Sequence, residues 1–514
     1  MVRRGRKRSS ARAAGSAANG FQQLPYRQPR NPFPPMEIIS ADQVEAIHRK
    51  SLEVLKTVGI NFLNNTARQV LKDAGADVDP DSTRVRFDPD LIEESVAKAP
   101  SRFKLHLRHR HGPLEVGGNA MIFGLVASPP NASDADGGRR PGNMEDYSNF
   151  IRLGHSLNIV HQMGGYPVEP MDVDPPIRHL VAESTGIKLS DKFCFGYALS
   201  RERIRDSIEM IRIARGIDFE TMTREPSLLT VVNANSPLQY DIPMLSGMIE
   251  MARLNQPVVV TPFTLAGAMA PVTVAGALVQ QNAEALAGIA FMQIVNPGAP
   301  VMYGGFTSNV DMKSGAPAFG TPEYAKAVVI GGQLARRYKL PYRSSNVNAS
   351  NAPDVQSAYE SQMSIWPCML GHVNFVKHAL GWLEGGLSAS FEKVIIDAEM
   401  LQMISEFLQP VIVDDDEMAL SAIEEVGPGG HFFGCAHTLA RYENAFYAPM
   451  LSDWRNFESW QEAGARDATA RANAIFKDVL ATYEPPEMDP GVVEELDAFV
   501  ARRMAEGGAK PDVQ

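Results

Sequence analysis

Short apolar or β-branched runs recur eight times in the middle of this chain, each followed by a loop and a segment of helical period. The runs span 121–126, 159–166, 192–199, 227–234, 257–263, 300–306, 341–347 and 372–380. Amphipathic segments lie between them at 145–157, 177–189, 201–215, 243–254, 274–295, 322–338 and 354–370, and one more follows at 392–408. Strand–helix alternation with starts roughly 30 to 40 residues apart is the pattern of a (β/α)8 barrel, a TIM barrel, and that fold is expected over residues 113–425. A doubly wound open sheet is the competitor. It would carry a glycine-rich phosphate turn after its first strand, where this chain has Ala127-Ser-Pro-Pro-Asn131.

Before the barrel, residues 36–112 read as a helical cap. Ser40 is placed to cap a helix that ends at Gly59, and further helices are expected at 66–74 and 88–97. The stretch Leu105–His111 alternates like an exposed strand, with His106, His109 and His111 beside arginines on a solvated face. After the barrel, residues 426–514 read as a C-terminal extension with a helix at 460–483 and a polar tail.

The chain has 514 residues, 44% of them hydrophobic, so disorder throughout is excluded. Three cysteines over that length exclude a disulfide framework and fit the reducing cytoplasm. Of 49 basic residues, eight precede the first acid, Glu37, which leaves 41 against 60 acidic residues in the body. A body this acidic excludes general nucleic-acid binding. Residues 1–35 read as a disordered basic tail, either a solvated arm or an electrostatic tether; no apolar run behind the basic residues makes it a signal peptide, and no membrane span is expected.

In a barrel of this kind the reacting groups sit at the C-terminal strand ends. Those ends supply Asn233 and Asn235, then Thr261 and Phe263, then Tyr303, Phe306 and Thr307, then Arg343, Asn346 and Asn348, with His378 on the eighth run. No strand end offers paired carboxylates, and apart from Lys377 beside His378 no lysine sits inside a strand where desolvation could make it a Schiff-base nucleophile. Arg343 suits bidentate capture of a carboxylate, or a structural ion pair with Glu360 on the next helix. Tyr303, Phe263 and Phe306 offer π faces to a cation, each worth about 0.5 to 2 kcal/mol when desolvated, or simply pack the barrel. His431, Cys435 and His437 are three possible zinc ligands within one loop, but without a common zinc spacing; no metal is expected.

Several strings resemble the trimethylamine:corrinoid methyltransferase family. They are Leu340-Pro-Tyr-Arg-Ser-Ser-Asn346, Asp354-Val-Gln-Ser-Ala-Tyr-Glu360, Asn374-Phe-Val-Lys-His-Ala-Leu-Gly381 and Gly427-Pro-Gly-Gly-His431 with His437-Thr438. Pro271-Val-Thr-Val-Ala-Gly276, Asn282-Ala-Glu-Ala-Leu-Ala-Gly288, and Arg140-Pro141 ahead of Glu145-Asp146 add to them. The resemblance implies a (β/α)8 barrel that moves a methyl group from an amine to the Co(I) of a corrinoid, carried on a separate cognate protein. Members like the founding enzyme place pyrrolysine after strand seven. Here that loop reads Asn346-Val-Asn-Ala-Ser-Asn351, so the resemblance points to the branch without pyrrolysine, which includes glycine betaine methyltransferases.

A quaternary amine needs no proton to leave, so an aromatic cage and a carboxylate clamp suffice, and positioning contributes most of the rate. Substrate contacts are expected from Arg343, His378, Tyr303, Phe306, Phe263, Asn233, Asn346, Asn348 and Glu360, and a homo-oligomer is expected. Two other readings fit the residues: a quaternary-amine binding protein without catalysis, and a zinc-dependent barrel enzyme using His431, Cys435 and His437.

Overall fold

The computed structural model describes residues 21–510 and 512. Six of the eight runs form one parallel sheet, in the order Ile122–Leu125, Phe375–Leu380, Tyr342–Ser345, Val301–Gly304, Val258–Val260, Thr230–Val232. These strands are buried almost throughout, as a parallel sheet covered by helices requires. The runs 159–166 and 192–199 are not strands. Each meets the sheet at one parallel bridge, Gln162 to Gly124 at one edge and Phe195 to Leu229 at the other. Side chains and glycines interrupt their ladders: His161 Nδ1 accepts from Phe123 N at 2.9 Å, and a Cβ on Gly164 would lie 2.2 Å from the Leu125 carbonyl oxygen. Between the two runs Met163 N donates to Lys192 O at 3.3 Å.

Helices follow the strands as expected, and side-chain caps fix most of their starts. Thr273 caps Val274–Val295, Thr321 caps Pro322–Arg337, Asp354 caps Val355–Leu370 and Ser390 caps Phe391–Phe407. Val274–Val295 has no polar face because it is covered twice, by the sheet on one side and by helices Ala41–Thr57 and Pro89–Val96 on the other. Ser40 caps Ala41–Thr57 in a full capping box with Gln43, and Asp88 caps Pro89–Val96.

Beside its helices the segment 36–112 holds short strands. Ile60–Phe62 pairs with Arg84–Arg86 and, in parallel, with Gln239–Tyr240, so a small sheet ties the cap to the segment that leads into the helix Ile242–Arg253. The strand expected at 105–111 lies instead at Arg102–Leu105, in a hairpin with Leu114–Gly117. Stacking explains the shift: His109 and His111 leave the ladder to pack on Tyr26, with ring centroids 4.5 and 4.3 Å away. That hairpin contributes Leu105, Leu114 and Val116 to an apolar plug with Ile122, Cys194, Leu229, Val259, Met302 and Phe375, which fills the space inside the curved sheet toward its N-terminal end.

Of the expected basic tail, residues 1–20 lie outside the described residues. Residues 21–35 are ordered against the body, where buried partners hold them: Leu24 N donates to Gln402 Oε1 at 2.6 Å, and Met121 N donates to Pro29 O at 2.9 Å. At the other end the expected polar tail contains a helix, Pro490–Ala505. It buries Leu496 and Phe499 against Arg178–Leu189 and Arg201–Arg215, and Arg503 Nε donates to Asp206 at 2.7 Å. No helix among the described residues is long and apolar enough to cross a membrane.

Candidate active site

Strand alternation sorts the residues of Tyr342–Ser345. Tyr342 faces the helices, its hydroxyl donating to Val328 O at 3.0 Å, and Ser344 lies beside the Tyr324 hydroxyl at 3.3 Å. Arg343 and Ser345 therefore face the other way, into the sheet's concave side. Arg343 is 2% exposed and donates from Nη2 to Ser345 Oγ at 2.8 Å. Its Nε and Nη1 are buried without a partner, and burial draws its pKa down to about 10, so it stays charged near neutral pH.

Lys377 follows one strand over, in register with Ser345. Its Nζ lies 5.0 Å from the centre of the Phe195 ring. Burial, then the charge of Arg343, holds this ammonium well below the ordinary lysine range. His378 sits at a positive φ of 54° beside a register shift in its strand, which turns its ring into the mouth. Its Nδ1 accepts from Ala127 N at 3.1 Å, which in the neutral ring leaves the proton on Nε2. Burial first, then Lys377 and Arg343, push its pKa well down. Three nitrogen groups thus converge, and among the described residues no ion pair involves Arg343 or Lys377. A buried cation without a counter-ion costs several kcal/mol, so the arrangement is chemically suited to an anion.

Aromatic rings stand beside it. Phe263 and Phe306 are register partners in two short parallel strands beyond the sheet, with centroids 5.0 Å apart. Phe319 stacks on Phe306 at 5.8 Å, and Trp382 closes on both at 6.3 and 6.4 Å and on His378 at 4.2 Å. The Arg343 guanidinium already lies over Phe306, and Trp382 Nε1 is buried without a partner.

The remaining candidates divide. Tyr303 is not brought to the mouth: it points into the helix layer, where its hydroxyl donates to Asn282 Oδ1 at 3.0 Å. Glu360 is not paired with Arg343; its Oε2 accepts from Ala349 N and Ser350 N, each at 2.9 Å, and so shapes the loop after the arginine strand. Asn348 Nδ2 donates to Ser357 O at 2.7 Å in the same loop. Asn346 Nδ2 donates to Ala379 O at 3.0 Å, while its Oδ1 is buried without a partner. Asn233 lines a cavity of about 290 Å³ with Ser128, Tyr166, Tyr197, Met244 and Lys377. Lys377 is therefore the residue common to this cavity and the arginine cluster. Phe319 and Trp382 were not among the expected contacts; the only signal for Trp382 is its place directly after the eighth run, before Gly385-Gly386.

Nothing in the cluster resembles an acid–base pair, and the nearby thiols are not nucleophiles. Burial pushes Cys194 and Cys368 up to about 12, so both are protonated near neutral pH. Among the described residues no three His, Cys, Asp or Glu side chains gather as a metal-holding group, and His431, Cys435 and His437 do not converge.

A model of the trimethylamine methyltransferase (MTTB) family matches residues 3–508. The glycine betaine methyltransferase of Desulfitobacterium hafniense strain Y51 is 36% identical over 93% of this chain and 99% of its own. A trimethylamine methyltransferase of Methanosarcina mazei is 28% identical over 90% of this chain and 94% of its own. Another, from Desulfitobacterium hafniense strain DSM 10664 / DCB-2, is 27% identical over 91% and 94%. With the family model spanning nearly the whole chain and a relative above 30% identity aligned end to end, this protein is a methyltransferase that belongs to the trimethylamine methyltransferase family.

Proposed function

We propose that the protein removes a methyl group from a small zwitterion, a quaternary ammonium bearing a carboxylate such as glycine betaine, and passes it to the Co(I) centre of a corrinoid on a separate partner protein. The observation that carries this reading is the convergence of Arg343, Lys377 and His378, without a carboxylate, beside Phe263, Phe306, Phe319 and Trp382. The free Nε and Nη1 of Arg343 take the substrate carboxylate, and His378 donates to it from Nε2. Lys377 supplies the second positive charge. The ammonium lies against the rings, where the burial that makes the cation–π contacts strong also excludes water.

Loss of a methyl from a quaternary ammonium releases a neutral tertiary amine, so this chain's residues hold and orient the substrate and have no proton to supply. The corrinoid supplies the nucleophile. The buried thiols Cys194 and Cys368, both protonated, do not compete for that role. The loop after Arg343, held by Glu360, contains no pyrrolysine, which favours a quaternary over a tertiary amine. We read the runs 159–166 and 192–199 as the two remaining staves of a closed (β/α)8 barrel; the bridges at Gln162 and Phe195 and the Met163–Lys192 hydrogen bond support this. The three free cysteines fit a cytoplasmic enzyme.

The test is methyl transfer to reconstituted Co(I) cobalamin across a panel of amines. Betaines are expected to be demethylated, with choline, tetramethylammonium and trimethylamine left behind; turnover of trimethylamine ahead of every betaine would contradict the reading.

A further inference from the structure

The helix Val355–Leu370 carries an apolar stripe on its outer face. Val355, Tyr359, Met363, Trp366 and Leu370 are all exposed, at a spacing that keeps them on one side of a helix. Trp366 meets Phe407 with centroids 5.4 Å apart, and Phe407 meets Phe33 at the same distance, so the stripe continues onto the end of the next helix.

At that point the chain leaves the body. It leaves after Leu408 and is tied back at Met450 and Leu451, whose backbone N–H groups donate to Glu399 at 2.8 and 3.1 Å. Between these points lies an arm, residues 411–446, built of short helical turns such as Leu420–Val426 and Ala436–Leu439. Among the described residues, the hydrogen bonds of 411–443 run within the arm: Arg441 donates to Asp416 at 2.7 Å, and Glu417 N to Asp414 at 2.9 Å. Its large apolar side chains point outward, with Val411 87%, Phe433 86% and Phe446 86% exposed.

We propose that the arm of one copy lies across the Val355–Leu370 stripe of a second copy, in a twofold dimer in which both arms are exchanged. A monomer rarely exposes a contiguous apolar patch beyond about 300–600 Å². Each fully buried aromatic side chain contributes about 150–250 Å². The arm and stripe of one copy together therefore hide on the order of 1,000 Å², which reaches the roughly 800 Å² per partner of a stable interface. The two surfaces belong to the same chain and adjoin where the arm departs, so a twofold axis beside Phe407 lets both contacts form at once. A corrinoid-carrying partner has to dock and leave in each turnover. A surface this apolar suits a permanent contact, since obligate interfaces are the more hydrophobic class.

The experiment is sedimentation equilibrium of the full chain at micromolar concentration, alone and as two paired variants. Phe433→Glu with Phe446→Glu alters the arm, and Tyr359→Glu with Trp366→Glu alters the stripe. The unmodified protein is expected at an even multiple of the chain mass, and each variant at half that mass with an unchanged circular dichroism spectrum. A monomeric unmodified protein overturns the proposal, and so does an assembly that survives either pair of substitutions. None of these outcomes bears on the substrate site, which lies inside the barrel region.

Discussion

The guanidinium of Arg343 lies 5.1 Å from the centre of the Phe306 ring, which makes one aromatic residue a wall of both the cationic cluster and the aromatic box. A ligand that satisfies Arg343 with its negative end is thereby brought against rings with its other end. On the proposed reading, this separation of the two functions along one small molecule would select a zwitterion over a simple amine or a simple carboxylate.

Lys377 gives the first prediction. Its ammonium is held down by burial and by Arg343, and a bound carboxylate reverses that, raising its pKa. Binding therefore takes up protons at a pH between the free and bound values, and affinity falls as pH rises through that window. Calorimetry of glycine betaine at pH 7 in phosphate and in Tris is expected to give enthalpies that differ by the buffers' ionisation heats, and Lys377→Met to remove most of the difference. Equal enthalpies in the two buffers would exclude Lys377 as the second charge.

The box gives the second. Phe319→Leu and Trp382→Leu each remove one ring, worth about 0.5 to 2 kcal/mol toward a desolvated cation. Glycine betaine is expected to bind several-fold more weakly to each variant, while 3,3-dimethylbutyrate, the same shape without the positive charge, loses far less. A parallel loss for both ligands would mean that the rings supply packing alone.

The third concerns stability. Lys393 and Asp397 form a fully buried ion pair on one helix; Lys393 Nζ donates to Ser361 Oγ at 2.7 Å, and Gly381 N donates to Asp397 Oδ2 at 2.9 Å. Ser361 also accepts from Asn348 Nδ2 at 3.1 Å, so the pair braces the loop that follows Arg343. Asp397→Ala leaves the lysine unpaired and is expected to cost about 3–5 kcal/mol in denaturant unfolding. Lys393→Met combined with Asp397→Leu is expected to recover much of that loss; if the double variant is as unstable as the single, the cost lies in packing.

A fourth follows from Glu183, which burial pushes up to about 8 behind Tyr166 and the cavity. Its folded value lies above its unfolded one, so its stabilising contribution is complete below the ordinary carboxylate range and is lost as pH rises toward 8, at about 1.4 kcal/mol per pH unit. Glu183→Gln removes that dependence. Melting temperatures at pH 5 and pH 8.5 are expected to converge for the variant relative to the unmodified protein, and an identical pH dependence in both would refute the buried, protonated carboxyl.

Much of this architecture is legible in the residues, and the failures have physical causes. The alternation of runs and helices locates all six strands of the sheet, because each buried parallel strand is a short apolar block bounded by turn residues. Parity is what such blocks hide: with both faces apolar, nothing marks that Met302 and Gly304 look inward while Tyr303 looks out. Arg343 is legible because it is a lone charge in an apolar run, and Lys377 stands out for the same reason. Phe319 reaches the site from a loop and Trp382 from a two-residue strand, Trp382–Leu383, both too short for any periodicity to point at them. The expected boundary at residue 425 falls within the segment 411–446, and the long helix before it ends at Phe407; an exposed apolar segment reads in the sequence like a buried one.

The carboxylate clamp is tested most directly by calorimetric titration of the unmodified protein and Arg343→Ala with glycine betaine and choline. The unmodified protein is expected to prefer betaine strongly. Arg343→Ala should lose roughly 1.5 to 3 kcal/mol of betaine binding, the scale of a charge-assisted hydrogen bond, with choline weak on both. Equal affinity for betaine and choline in the unmodified protein would contradict the account.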